Sequence, residues 1–367
     1  MWPFESQIPG SNPGRSKILF LLHLLIQAFL ARILTTTWLV GRALTLICAS
    51  TFNTIIINKN RSVNTRNQET NPLMEQFSEY LSKIDNALER ELDLYSWSEF
   101  YAPLRYACDG GKRIRPLILI LAYESVKSGK TIVEANNNNI NINSFSSTNV
   151  GEEIFVAASA IELLHTESVI HDDIIDEENL RRGKPSFHVK YGYNNSILTA
   201  DFVLGIILNL SCKLNNPRVS AELSNAAIKM SEGEIMEIKL AKECNLDEYE
   251  YIKVIEHKTA SLFETSAKVG AILGKGGEDQ IRALAAFGNL LGIAYQVHDD
   301  LVDWNNEDRL FNLLVKKNDR SKEFVERMEN LYLTYSLNAK NELHKIGDSA
   351  PKKHLQHLTD LASFGRF

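Results

Sequence analysis

The chain is 367 residues long and 44% hydrophobic, enough to bury one large core or two ordinary ones. Its net charge of -6 argues against nucleic acid as the main partner. Four cysteines, Cys48, Cys108, Cys212 and Cys244, lack the paired spacing of a zinc site, as is ordinary in a reducing compartment such as the cytoplasm.

Residues 1–70 differ from everything after them. No acidic residue lies between Glu5 and Glu69, while Arg15, Lys17, Arg32, Arg42, Lys59, Arg61 and Arg66 punctuate a run rich in leucine and isoleucine. The uncharged stretches Ile18 to Ala31 and Ala43 to Asn58 each fall short of the about 20 apolar residues that span a bilayer. The segment reads first as an imperfect membrane anchor, with an acid-poor targeting presequence or sequence outside the functional protein as alternatives. The expected location is cytoplasmic, with membrane association through this segment.

From Asn71 the periodicity becomes helical. Helices are predicted at Met74 to Leu94, Leu117 to Val126, Glu153 to Asp176, Ser196 to Leu214, Ser220 to Lys242, Asp247 to Leu273, Glu278 to Asp303 and Ser321 to Lys345. Loop chemistry separates them at Gly110-Gly111, Gly183-Lys184-Pro185, Asn215-Asn216-Pro217 and Gly274-Lys275-Gly276-Gly277. An Asn-rich stretch at 135–149 reads as an inserted surface loop. Almost nothing alternates with period two. The expected fold is all-α: residues 71–367 as a single large helical bundle around a central cavity.

Two acidic patterns close apolar helical stretches, Asp172-Asp173-Ile174-Ile175-Asp176 and Asp299-Asp300-Leu301-Val302-Asp303. The first and fifth residues of such a pattern lie one helical turn apart on one face, so each copy gathers carboxylates into a cluster. A lone pattern of this kind is more often a solvated acidic face. Here Ile154 to Leu164 and Leu290 to Val297 lead into the clusters, and stretches apolar nearly all round mark helices buried among other helices. Acids emerging from them are expected to line an internal cavity. Clustered carboxylates repel unless a cation lies between them, and magnesium is held by few carboxylates together with water and phosphate oxygens. Two clusters therefore suggest a magnesium-bridged diphosphate.

Basic runs complete the pattern. Gly110-Gly111-Lys112-Arg113-Ile114-Arg115-Pro116 sets cations beside glycines that let the backbone approach an anion, and Arg181-Arg182-Gly183-Lys184-Pro185 follows the first acidic cluster. Each alone is most simply a solvated basic run. Together with the carboxylates they describe a site for two diphosphates, one held through metal and one by cations directly. His165 lies two turns before Asp172 on the same face. His171 and His298 adjoin the clusters but are not read as ligands, because magnesium prefers oxygen.

These motifs, GGKRIRP, ELLHTESVIHDDIID, LRRGKPSFH, KTASLF and YQVHDDLVD, run in order from about Asn71 to Asp303, and in them the chain resembles the trans-isoprenyl diphosphate synthases, or polyprenyl synthetases. The resemblance implies an all-helical, commonly dimeric enzyme that joins an allylic diphosphate to isopentenyl diphosphate head to tail. It assigns Asp172, Asp173, Asp176, Asp299, Asp300 and Asp303 to magnesium, three ions when substrate is bound. Arg181 and Lys258 would touch the allylic diphosphate, Lys112, Arg115, His165 and Arg182 the isopentenyl diphosphate, and Thr259 and Gln296 would sit beside the reacting carbons.

Product length follows from what blocks the growing tail. A helical turn rises about 5.4 Å, comparable to one isoprene unit, so Ser168 and Leu164, with Glu167 alongside, act as successive floors below Asp172. None is aromatic, whereas members that stop at fifteen carbons commonly carry an aromatic there; twenty carbons or more are expected, geranylgeranyl diphosphate first. The chain departs from the family at Glu167, a charge at a lipid-lined wall, at His298, and after Asp303, where the usual lysine-bearing segment is missing and Lys316 and Lys317 are only candidates. A terpene cyclase would not need Lys112, Arg115 and Arg182, and a non-catalytic subunit typically loses acidic residues that this chain keeps.

Overall fold

The computed structural model describes residues 75–138, 151–243, 246–302, 310–318 and 322–363. The anchor reading of residues 1–70 and the position of Asp303 lie outside them, as do Cys48 and Cys244. The described chain is helical apart from one two-stranded hairpin. Its helices are α1 (Ser78–Asp93), α2 (Tyr101–Cys108), α3 (Ile114–Asn138), α4 (Glu152–Ile175), α5 (Phe187–Tyr191), α6 (Tyr193–Leu214), α7 (Pro217–Glu243), α8 (Glu248–Ile255), α9 (Ser261–Leu273), α10 (Glu278–Val302), α11 (Leu310–Lys317), α12 (Lys322–Glu342) and α13 (Ala350–Ser363).

Local chemistry sets the boundaries. Asn215 closes α6 in the left-handed conformation, and the Asn216 side chain accepts from the Arg218 and Val219 amides before Pro217 opens α7. Asp247 caps α8 by accepting from the Glu250 amide at 2.8 Å. Helix α3 begins at Ile114, after Gly110 and Gly111 turn the chain with φ of +76° and +103°. It also runs on to Asn138, so the first residues of the expected Asn-rich loop are helical; no proline or glycine follows Gly129 to stop the helix, and 139–150 are outside the described residues.

The core explains why some helices carry no polar stripe. In α3 every residue from Leu117 to Ala122 is fully buried, and in α4 the run Ala157 to Leu164 is buried on all sides. Such helices sit inside a bundle rather than on it. Helix α3 packs on α9 and α4, α9 on α10, α10 on α12, and α4 on α6. The predicted helix Asp247 to Leu273 is interrupted by one π-turn, Glu256–Ala260, between α8 and α9. Helices α2, α5 and α11, of eight residues or fewer, are too short to be legible in the pattern, and α13, although 14 residues long and amphipathic, is not among the predicted helices.

Candidate active site

A cavity of about 840 Å³ opens where α4, α7, α8, α10 and the π-turn converge. Of the residues singled out by sequence, it is lined by Arg115, His165, Ser168, Asp172, Asp176, Arg181, Lys258, Thr259, Gln296, Asp299 and Asp300. The ends of α4 and α10 thus bring both acidic patterns to one space. Its apolar wall includes Met230, Val254, Leu262, Leu310 and Phe311.

Asp172 and Asp176 share the last turn of α4. Burial, with repulsion from Glu234 and Asp176, pushes the Asp172 carboxyl up to about 7 against the pull of Lys258. Asp176 is raised too, by burial and by Glu234 and Glu237. Carboxyls crowded in this way are short of positive charge, and an all-oxygen donor set suits magnesium. Among the described residues no three acidic or histidine side chains stand ready as a complete metal site. Asp173 explains part of this. It is buried and accepts from Arg181 Nε at 2.8 Å and Nη2 at 2.5 Å, turned away from the cavity. The expected roles of Asp173 and Arg181 are joined here in one ion pair.

The second cluster is organised by hydrogen bonds. Asp300, buried, accepts from Tyr251 Oη at 2.6 Å and from Gln296 Nε2 at 2.9 Å. A carboxylate only accepts, so it fixes the Gln296 amide with its nitrogen toward Asp300 and its oxygen toward Thr259, whose hydroxyl donates at 3.0 Å. Tyr251 is held well above its ordinary pKa by burial and by Asp300, and so remains the donor.

Lys258 lies on the π-turn. It is paired with Glu234 at 2.6 Å and Glu237 at 2.8 Å, with Asp172 at 4.0 Å. Burial alone would lower it, but Glu237, Asp172 and Glu234 outweigh that and raise it above the ordinary lysine value. Its backbone reaches this place because α7 carries a glycine: a β-carbon at Gly233 would lie 2.5 Å from the Lys258 nitrogen. On the opposite side Gly292 of α10 admits Ala260, whose Cα would be 2.6 Å from an added β-carbon.

Cations gather at the other end. Leu180–Arg181 pairs with Lys184–Pro185 across a two-residue turn, Arg182 and Gly183 at φ of +54° and +75°, the signature of a type I′ hairpin. The hairpin presses Arg182 onto the Gly110-Gly111 turn, where a β-carbon at Gly111 would lie 3.1 Å from its guanidinium. Arg115 stands over the Phe263 ring at 4.8 Å, and its buried Nε has no hydrogen-bond partner. Burial and the guanidiniums of Arg115, Arg182, Arg181 and Arg113 hold His165 well below its usual value, as an uncharged ring amid positive charge. Lys112 is within electrostatic reach of Arg182 and of Asp299. Arg113, from the same motif, is spent elsewhere: it donates to Asp85, Glu162 and the Cys108 carbonyl at 2.8, 2.6 and 2.6 Å.

Lys112 and Arg182 do not line the main cavity; Arg182 lines a smaller one of about 200 Å³ that shares His165, Val169 and Arg181 with it. Of the three expected floor residues only Ser168 reaches the cavity. Leu164 packs in the core and Glu167 turns to His171 at 3.2 Å. His298 lies edge-on to the Tyr332 ring. Lys317 donates to the Leu246 carbonyl and Lys316 is exposed, so neither reaches the cavity; Leu310 and Phe311 of α11 do. Sequence reasoning missed Glu234, Glu237 and Tyr251. The first two had a signal, two acids three apart directly after a helical glycine; Tyr251 had none.

Residues 98–313 match the polyprenyl synthetase family. A geranylgeranyl diphosphate synthase from Methanosarcina mazei is 33% identical over 237 residues, 63% of this chain and 67% of that protein. An octaprenyl diphosphate synthase from Haemophilus influenzae is 32% identical over 196 residues, 53% of each. A crystal structure of geranylgeranyl pyrophosphate synthetase from Pyrococcus horikoshii superposes with a TM-score of 0.66 over 79% of this chain and 98% of that one, at 23% identity, and so shares the fold. An all-helical bundle whose cavity joins two carboxylate clusters to a cationic end defines a class of diphosphate-handling enzyme. The chain belongs to the polyprenyl synthetase family and is a prenyltransferase.

Proposed function

We propose that the chain condenses isopentenyl diphosphate with an allylic diphosphate, head to tail, and releases a product of twenty carbons or more, with geranylgeranyl diphosphate the leading assignment. The observation that carries the reading is one cavity with two poles: Asp172, Asp176, Asp299 and Asp300 at one, with Lys258 and the Asp173-bound Arg181 beside them, and Arg115 and His165 at the other, with Lys112 and Arg182 adjoining. The allylic diphosphate is assigned to the acidic pole and the isopentenyl diphosphate to the basic one. Magnesium, when held by the aspartates, supplies positive charge toward the departing diphosphate.

The protein's own groups do the rest. Lys258 and Arg181 face charge that develops on the leaving oxygens, and fixed donors of this kind are worth most in a site that excludes water. Lys258 is held by two glutamates until an anion competes for it. Met230, Val254, Leu262 and Phe311 keep water from the allylic cation. Thr259 donates to Gln296 and keeps its oxygen lone pairs for the cationic carbon. The departing diphosphate takes the final proton, so no side-chain base is assigned. Absence of an aromatic at Ser168, the expected floor residue that reaches the cavity, supports a product longer than fifteen carbons.

Two copies are assigned to the working enzyme. Exposed Ile197, Leu204 and Leu208 share one face of α6, and exposed Ile228 and Ile235 one face of α7. Helices α4 and α6 are also long and apolar enough to cross a membrane by length and composition, but α4 is a core helix and α6 buries its opposite face. Membrane association is assigned to residues 1–70 instead, in a cytoplasmic protein, and cell fractionation with and without them tests it.

Purified full chain, magnesium, labelled isopentenyl diphosphate and allylic primers of five, ten and fifteen carbons test the activity. The expected product from each primer is the twenty-carbon diphosphate. Hydrocarbon released without consumption of isopentenyl diphosphate would make the chain a terpene cyclase, and no turnover with any primer would make it a subunit that needs a catalytic partner.

A further inference from the structure

We infer that Tyr251 is a positioning residue that fixes the Asp300 carboxylate for metal. The inference rests on the reading of Asp300 as a magnesium ligand. Tyr251 comes from α8 and Asp300 from α10, and the phenol crosses between them with a 2.6 Å hydrogen bond to Oδ2. Oδ1 accepts from Gln296 at 2.9 Å. Each carboxylate oxygen therefore receives a donor, and these two partners, on different elements, hold the plane of the group. The tyrosine is itself immobile: it is 1% exposed and its ring packs on Phe311 at 5.5 Å.

This arrangement has a consequence for the reacting end of the site. Gln296 is shared, with its nitrogen on Asp300 and its oxygen on Thr259. A carboxylate that lost Tyr251 would be released to rotate toward Gln296 and carry its amide with it. Tyr251 thus ties the geometry of the second acidic cluster to the oxygens assigned to the reacting carbons. Groups that orient a metal ligand through a hydrogen bond typically cost about 10- to 100-fold in metal affinity or activity when removed.

The test is manganese(II) binding to the full chain in the presence of inorganic pyrophosphate, read as free ion by electron paramagnetic resonance, for wild type, Tyr251→Phe, Asp300→Asn and the double variant. Tyr251→Phe is expected to bind the ion about tenfold more weakly, and to add nothing in the Asp300→Asn background. Wild-type affinity in Tyr251→Phe with a loss in Asp300→Asn overturns the inference and leaves the metal reading intact. Equal and additive losses in the two variants also overturn it, because Tyr251 would then act apart from Asp300. Wild-type affinity in Asp300→Asn removes the metal reading and the inference with it. If Tyr251→Phe does not fold, 4-methylphenylalanine and 4-aminophenylalanine placed at 251 share the shape of tyrosine; only the second retains a donor, and only it is expected to bind as wild type. Equal binding by both refutes the role.

Discussion

Single carboxyls and hydroxyls in the cavity have effects that can be read one at a time. Ser168 lies one turn below Asp172 and is the only expected floor residue on the cavity wall. A phenyl ring there would take the space of the last isoprene unit. Ser168→Phe is expected to shift the main product from twenty to fifteen carbons, by chromatography of the dephosphorylated alcohols; an unchanged length would move the floor elsewhere. Asp172 makes a second case. Its ordinary value is 3.8 and its folded value about 7. Between these values the folded, metal-free chain holds a proton that the unfolded chain has released, so the contribution of this group to stability is present at acid pH and lost as pH rises through about 7. The melting temperature without metal is expected to fall on this account from about pH 5.5 to about pH 8, and magnesium with pyrophosphate to restore more at the higher pH. Restoration independent of pH would mean that the cation does not contact Asp172.

At the level of helices, the π-turn between α8 and α9 is the feature on which the site depends. It aims Lys258 and Thr259 inward from neighbouring positions, and it fits because Gly233 and Gly292 lack side chains on the two helices that flank it. Gly233→Ala would drive a methyl group against the Lys258 backbone, an overpacking that costs about 1–3 kcal/mol. The expected result is a modest loss of stability with a much larger loss of kcat, because the π-turn must move and Lys258 moves with it. Equal kcat in Gly233→Ala and wild type would show that the turn tolerates the shift. What was legible in the sequence follows the same division. The aspartate patterns could be read because a spacing of four is the helix's own period and their apolar flanks implied burial. The hairpin of Arg182 could not, since a two-residue turn leaves too little pattern. Nor could Tyr251, whose role arises only where α8 meets α10; the glutamates around Lys258 left a faint pattern, two acids three apart after Gly233, but their role arises only where α7 meets the π-turn.

For the molecule as a whole, the unsettled surface is the outer face of α6. Its inner face joins the core through Val203, Ile206, Ile207 and Leu210, so the helix needs no further partner to stay folded. Ile197, Leu204 and Leu208 nevertheless remain exposed on the other side, as do Ile228 and Ile235 of α7, a helix that α6 contacts. A row of large apolar side chains left exposed on one helix face is a candidate interaction surface. A second copy covers it in the present reading, and the acid-bearing helices α4 and α7 would then be braced from outside through their contacts with α6. Leu204→Glu with Leu208→Glu is expected to halve the mass measured by light scattering while the helical circular dichroism stays unchanged, since neither side chain belongs to the buried core. A loss of kcat that accompanies the halved mass would mean that the brace is needed for catalysis. A wild-type chain with the mass of one copy removes the assignment, and a dimer that survives both substitutions puts the interface on another face.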